Sequence, residues 1–130
     1  MVDKSTDQPQ LIVVDDQPDM GQFVCDVAED MGFQAQLVTS VAEFQLVYPE
    51  TNPSGIVIDI VMPDLDGNDL VNWLAAQNSY TPIIIVSGYD GRYLKFTETL
   101  AQQSGAIVVG SLSKPYSVAD LKRLLGQLLD

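Results

Sequence analysis

The chain has 130 residues, with 18 acidic against 6 basic side chains and a formal charge of −12. That length builds one domain with a real core and not two, and a hydrophobic content of 46% excludes a disordered chain. The acidic balance argues against direct contact with nucleic acid or an anionic membrane, since both need a basic surface.

Residues 1–9 read as a flexible polar N-terminal segment and residues 10–130 as the domain. The start is no signal peptide, and no apolar run approaches membrane-spanning length, so a cytoplasmic protein is the default expectation. Leu11-Ile12-Val13-Val14 is a β-branched run of the kind that forms a strand buried on both faces, and it ends at Asp15-Asp16. Met20, Phe23, Val24, Val27, Ala28 and Met31 then recur at helical spacing, with Pro18 suited to the first turn and Gly32 to the stop. A second strand is expected over Gln34–Val38. Ser40 and Glu43 form a capping-box pattern that opens a helix with Val41, Phe44 and Val47 inward.

Pro49 to Gly55 reads as a loop, and Ile56-Val57-Ile58 as the third strand, ending at Asp59. A second loop, Pro63 to Gly67, leads into a helix carrying Leu70, Trp73 and Leu74. Pro82 begins the fourth strand, Ile83 to Val86, which ends at Ser87-Gly88. A helix from about Gly91 to Ser104 has Tyr93, Leu94, Thr97, Leu100 and Ala101 near one face. Ala106 to Val109 is expected as the fifth strand. Ser117 and Asp120 cap a last helix with Val118, Leu121, Leu125 and Leu128 inward. Strands and helices in strict alternation give an α/β fold, a parallel sheet with helices on both faces. The chain ends soon after the fifth helix, so it reads as this domain alone or as one cut from a longer protein.

In such a sheet, ligands bind outside the carboxyl ends of the strands. The first strand delivers Asp15 and Asp16 there, the third Asp59, the fourth Ser87, and the fifth leads to Lys114. Three gathered carboxylates repel and need a counter-charge. A hard divalent cation such as Mg²⁺, which prefers oxygen ligands and is usually shared with a phosphate, supplies it. A lysine beside it can pair with a phosphoryl oxygen, the serine hydroxyl can donate to another, and a metal-neutralised aspartate can attack phosphorus. The chain has no histidine, so the commonest general base and zinc ligand is absent. Its one cysteine, Cys25, reads as a small buried hydrophobe.

At these residues the sequence resembles the receiver domains of bacterial two-component response regulators, those of the chemotaxis-regulator type. The resemblance rests on Asp15-Asp16, on the string Asp59-Ile60-Val61-Met62-Pro63-Asp64-Leu65-Asp66-Gly67, on Ser87-Gly88 and on Lys114-Pro115. Each taken alone has an ordinary explanation as a turn, a cap or a solvated charge. Their joint occurrence at four strand ends does not. The resemblance implies a doubly wound, flavodoxin-like sheet of five strands in the order 2-1-3-4-5 with five helices. It implies Asp59 as phosphoacceptor, Asp15, Asp16, Asp59 and the Val61 carbonyl as Mg²⁺ ligands, Ser87 as the switch hydroxyl and Lys114 as the phosphoryl-pairing lysine. It further implies a cis peptide bond before Pro115.

The partners implied are a sensor histidine kinase or phosphotransfer protein upstream and a protein partner or effector domain downstream, met by the fourth helix, fifth strand and fifth helix. A homodimer is compatible with the sequence. The chain departs from the pattern at Ser111, where many receivers carry Tyr or Phe; Tyr89, Tyr93 and Tyr116 are the aromatic alternatives nearby. Val61 stands two positions after Asp59, where many receivers carry a polar side chain that helps hold the hydrolytic water, and the bulky Tyr89 sits two after Ser87; both should hinder water, so a long-lived phospho-Asp59 is expected. An aspartyl-nucleophile phosphatase of the haloacid-dehalogenase type would need an acid at Val61. A calcium loop over Asp64, Asp66 and Asp69 would need its glycine at the sixth position, where Gly67 does not fall. The remaining rival is a pseudo-receiver, an interaction domain of the same fold that phosphorylation does not regulate.

Overall fold

A computed structural model describes residues 8–62, 65–77, 80–88 and 91–129. Among them, five strands form one parallel sheet: β1 (Gln10–Val14), β2 (Gln34–Val38), β3 (Gly55–Asp59), β4 (Ile83–Ser87) and β5 (Val108–Ser113), in the order β2-β1-β3-β4-β5. The expected order is therefore observed. Five helices connect and follow them: α1 (Pro18–Asp30), α2 (Val41–Thr51), α3 (Gly67–Ala76), α4 (Gly91–Gln103) and α5 (Val118–Gln127). A two-residue antiparallel ribbon, Val61–Met62 with Leu65–Asp66, fills part of the stretch between β3 and α3.

The continuous apolar runs are explained by burial on both faces of the sheet. Successive side chains of a strand point to opposite faces. Ile12, Val14, Ile56, Ile58, Ile83 and Ile85 pack on one side against Phe44 of α2, Leu70 and Leu74 of α3 and Ala101 of α4. Leu11, Val13, Val57, Ile84 and Val86 pack on the other against Val24 and Ala28 of α1 and Leu121, Leu124, Leu125 and Leu128 of α5. Each such aliphatic side chain contributes about 1.5–3 kcal/mol on full burial. Cys25 joins the second cluster. Burial, and next the charges of Glu29 and Asp26, push its thiol up to about 11. On the first side, Phe44, Tyr48 and Trp73 form a ring cluster with centroids 5.5 to 6.0 Å apart.

Four expectations need correction. The helix expected to stop before Pro49 continues through it to Thr51. A proline in the last turn fits helical φ and removes one bond, that to the carbonyl four residues back. The stop comes at Asn52, whose φ of 52° is left-handed, a conformation asparagine tolerates. The fifth strand is Val108–Ser113, not Ala106 to Val109. Gly110-Ser111-Leu112-Ser113 has weak strand propensity, but it pairs in register with Ile84 to Ser87 after an irregularity between Ile83 and Ile84. Gly110 lets Leu124 pack closely there, since a Cβ would sit 2.7 Å from Leu124 Cδ2 and force that side chain to shift. The third and fourth corrections concern side chains expected inward: Val118 is 43% exposed and Phe23 is 39% exposed, each at the margin of its helix's buried stripe. Leu124 takes the inward place instead.

The caps are as the sequence suggests. Ser40 Oγ accepts from the Glu43 N–H at 3.1 Å, while Glu43 Oε1 accepts from the Thr39 N–H, one residue ahead of the cap, at 2.9 Å. Ser117 Oγ accepts from the Asp120 N–H at 3.0 Å. The expectations for Asp64 and Tyr89, and for the side chains of Asp66, Asp69, Tyr93 and Leu94, lie outside the described residues.

Phe44 is completely buried and touches both other rings of its cluster. Phe44→Ala is expected to cost about 3–5 kcal/mol. Urea unfolding followed by the emission of Trp73, the chain's one tryptophan, measures this directly.

Candidate functional site

Parallel pairing brings the carboxyl ends of the strands to one rim, and the chemistry follows from what stands there. β1 ends at Val14, and the Asp15 N–H donates to Val38 of β2 at 3.1 Å, so the chain leaves the sheet in a fixed direction. Asp15 Oδ1 accepts from the Gln17 N–H at 2.9 Å, which turns the chain into α1 and holds the carboxylate. Asp59 is the last residue of β3, opposite Val86 of β4. The Ile60 N–H donates to the Val86 carbonyl at 3.0 Å. Both acids are buried, at 5% exposure for Asp15 and 4% for Asp59.

Lys114 follows β5 directly. Its N–H donates to the Ser87 carbonyl at 2.8 Å, which extends the β4–β5 pairing by one residue. Its ammonium Nζ lies 2.8 Å from Asp59 Oδ2 and 3.8 Å from Asp15 Oδ2. The peptide bond from Lys114 to Pro115 is cis, as the motif suggests. Ser87 is fully buried at the end of β4, opposite Ser113.

Asp15, Asp16, Asp59 and Lys114 thus meet at one rim. Oxygen atoms of Asp15, Asp16 and Asp59 lie within 4.8 Å of one another. Asp16 is half-buried and opens the set to solvent. Ser87 stands on the strand between Asp59 and Lys114. Val61 opens the short ribbon two residues beyond Asp59.

Burial is the main influence on Asp15, raising its pKa from 3.8. The Gln17 N–H and the Lys114 charge oppose this, and the charges of Asp59 and Asp16 add to it. Three carboxylates thus face one ammonium in a low-dielectric pocket. Only oxygen donors are present in the set, which fits a hard divalent cation and not a soft one. Ligands of a single Mg²⁺ stand at most about 4.2 Å apart across the ion, at about 2.1 Å each, so the carboxylates need only a small adjustment to share one.

One contribution escaped the sequence reading, and a second, Tyr116, enters in a different role from the one considered there. The Gln17 N–H that holds Asp15 is a backbone group, and no side-chain pattern announces it. Tyr116 considered as an aromatic substitute is half-buried against the α1–α5 side of the core. Burial raises its phenol's pKa first, and then the charges of Asp15 and Asp59 raise it further, so it belongs to the electrostatic surroundings of the site. The signal was its place directly after Lys114-Pro115.

A family model for the response regulator receiver domain matches residues 11–125. Over 122 residues the chain is 26% identical to the photosynthetic apparatus regulatory protein RegA of Rhodovulum sulfidophilum, covering 92% of this chain and 62% of that protein. Over 86 residues it is 33% identical to the transcriptional regulatory protein PrrA of Mycobacterium leprae, covering 66% of this chain and 37% of that one. A solved response regulator from Colwellia psychrerythraea has a TM-score of 0.81 at 26% identity, covering 93% of this chain and 96% of that chain. The chain spans less than two thirds of the length of either curated relative.

The raised pKa of Asp15 has a consequence for stability without divalent cation. The folded chain binds this proton more tightly than the unfolded chain does. Below 3.8 the carboxyl is protonated in both states and carries no penalty; stability is lost as pH rises from there through the raised folded value, and stays lost above it. Asp15→Asn keeps an acceptor for the Gln17 N–H. It is expected to be more stable than the parent at pH 7 in EDTA, with the difference vanishing as pH falls toward 3.8. Urea midpoints across that range provide the check.

Proposed function

The chain belongs to the response regulator receiver domains, and from that membership we propose that it accepts a phosphoryl group onto Asp59 in a Mg²⁺-dependent reaction. The observation that carries this is the meeting of Asp15, Asp16, Asp59 and Lys114 at one rim, with the Lys114 ammonium 2.8 Å from the Asp59 carboxylate. A carboxylate oxygen of Asp59 attacks phosphorus as the donor's bond to phosphorus breaks, and the electron pair of that bond leaves with the donor. Lys114, already against Asp59, shifts its ion pair to a phosphoryl oxygen. The Ser87 hydroxyl donates to another. Asp15, Asp16, Asp59 and the Val61 carbonyl would hold Mg²⁺, which neutralises the crowded charge and draws electron density from the phosphoryl group.

The chain is then a signalling module that catalyses its own phosphorylation and dephosphorylation, and acts on no separate substrate. The upstream donor is a sensor histidine kinase or a phosphotransfer protein, and the downstream target is a protein partner or an effector domain. The set of acids with its lysine is what an interaction domain without phosphorylation would not need to keep. No helix among the described residues is long and apolar enough to cross a membrane, and the proposed setting is the cytoplasm. With Val61 two residues after Asp59, the phosphorylated form is expected to be long-lived; the Val61 side chain and Tyr89 lie outside the described residues.

Incubation with Mg²⁺ and acetyl phosphate, followed by intact mass, tests the assignment. The parent is expected to gain one phosphoryl group. EDTA abolishes the gain, and Asp59→Asn gains none. Lys114→Ala, which removes the ammonium at Asp59, is expected to slow uptake by about 10²-fold or more, within the range seen for loss of one electrostatic group at a reaction centre. Uptake by Asp59→Asn equal to the parent would contradict the assignment of that residue. Loss of the label within seconds in Mg²⁺ would contradict the long lifetime.

A further inference from the structure

One charged contact joins α4 to the strand that ends at the site. Ser111 Oγ, on β5, donates to Glu98 Oε2 on α4 at 2.7 Å. The Glu98 side chain is only 15% exposed, and its companion ion pair with Lys95, at 3.6 Å, reaches into solvent on a lysine that is 76% exposed. A hydroxyl bond to a largely buried carboxyl group is a strong and selective one. It fixes where α4 sits on the sheet.

The same helix carries a defect. Thr97, next to Glu98, is 2% exposed, and among the described residues its hydroxyl has no hydrogen-bond partner. A helical threonine can ordinarily donate to the carbonyl four residues back, as Thr99 does to Lys95 at 3.0 Å. A buried hydroxyl left unpaired disfavours the arrangement that contains it. The observed seat of α4 is thus held by Ser111 and Glu98 and opposed by Thr97.

β5 links that helix to the acidic site. Ser111 lies three residues before Lys114 on one strand, which is paired to β4 from Gly110 to Ser113 and continues in the Lys114 N–H bond to Ser87. The ammonium that meets Asp59 is thus carried on backbone that continues directly from Ser111. Phe96, 59% exposed on α4, would move with the helix.

We propose that the Ser111–Glu98 hydrogen bond is a latch that holds α4 on β5 in the unphosphorylated chain and opposes phosphoryl uptake at Asp59. The coupling rests on the function proposed above. The latch itself does not. By linkage, whatever weakens the latch favours the phosphorylated state to the same extent that phosphorylation weakens the latch.

Hydrogen exchange over residues 91–103, with and without Mg²⁺ and acetyl phosphate, separates the two. In the unphosphorylated full chain, Ser111→Ala is expected to speed exchange of α4 amides about tenfold, the loss expected of one hydrogen bond to a charged group. Ser111→Thr, which keeps the hydroxyl, is expected to behave as the parent. Glu98→Ala is expected to match Ser111→Ala, and the double variant to exceed neither. Ser111→Ala is also expected to take up phosphoryl groups several-fold faster than the parent. Unchanged α4 exchange in Ser111→Ala would overturn the latch. Faster exchange with an unchanged uptake rate would overturn its coupling to Asp59. A parent chain that takes up no phosphoryl group would overturn the function proposed above and the coupling with it, while the exchange of the unphosphorylated variants would still decide the latch.

Discussion

Three carboxylates crowded at one end of a sheet against a single ammonium are the constraint around which this molecule is organised. Such a set is costly to bury. Left to itself it would spread into solvent, and it stays because the backbone allows no alternative. Asp59 is the final residue of a fully buried central strand. Asp15 is tied at both ends, by the bond from its own N–H to Val38 and by the Gln17 N–H on its carboxylate. Among the described residues, the opposing charge is delivered by a strand that reaches the rim in register with β4. Destabilisation accepted in one place is a reasonable mark of chemistry there.

The rest of the fold supplies the rigidity that this requires. The sheet is buried on both faces, with α2, α3 and α4 on one side and α1 and α5 on the other. Its three central strands contribute side chains to both clusters in alternation, so shifting any of them by one residue would exchange the two faces. That is why the strand ends, and therefore the acids, can be fixed to within a fraction of a residue. α4 is the exception to this uniform packing. It combines a buried unpaired hydroxyl with a charged hydrogen bond to the strand beside it. This helix lies beside the strand that leads into Lys114.

Most of the architecture was readable because the signals were local and redundant. The runs Leu11 to Val14 and Ile83 to Val86 announce buried strands by composition alone, and Asp15-Asp16 after the first and Ser87 after the second mark the rim. The cap serines Ser40 and Ser117 open their helices as expected. What was misread depends on partners distant in sequence. Gly110 to Ser113 resembles a loop until β4 is placed beside it, when pairing outweighs propensity. Pro49 looks like a stop, yet the helix can lose one hydrogen bond in its last turn without ending. Val118 fits the helical period but occupies the first helical position, where little packs on it. The site was readable as a set of residue types. The hold of Gln17 on Asp15, and of Glu98 on Ser111, needed coordinates, because a backbone donor and a partner on another element leave no pattern in the chain.

The account stands on the claim that the acidic set is built to take a divalent cation. Thermal unfolding of the parent chain measured across a Mg²⁺ titration, beside Asp59→Asn and Asp16→Asn, tests this most directly. A cation bound only by the folded state raises the Tm progressively with its concentration. The account predicts that rise for the parent at millimolar Mg²⁺ and a much smaller one for either variant, with all three proteins alike in EDTA apart from the relief that removing a crowded charge brings. A parent Tm that does not respond to Mg²⁺, or a response that survives both substitutions unchanged, would contradict it.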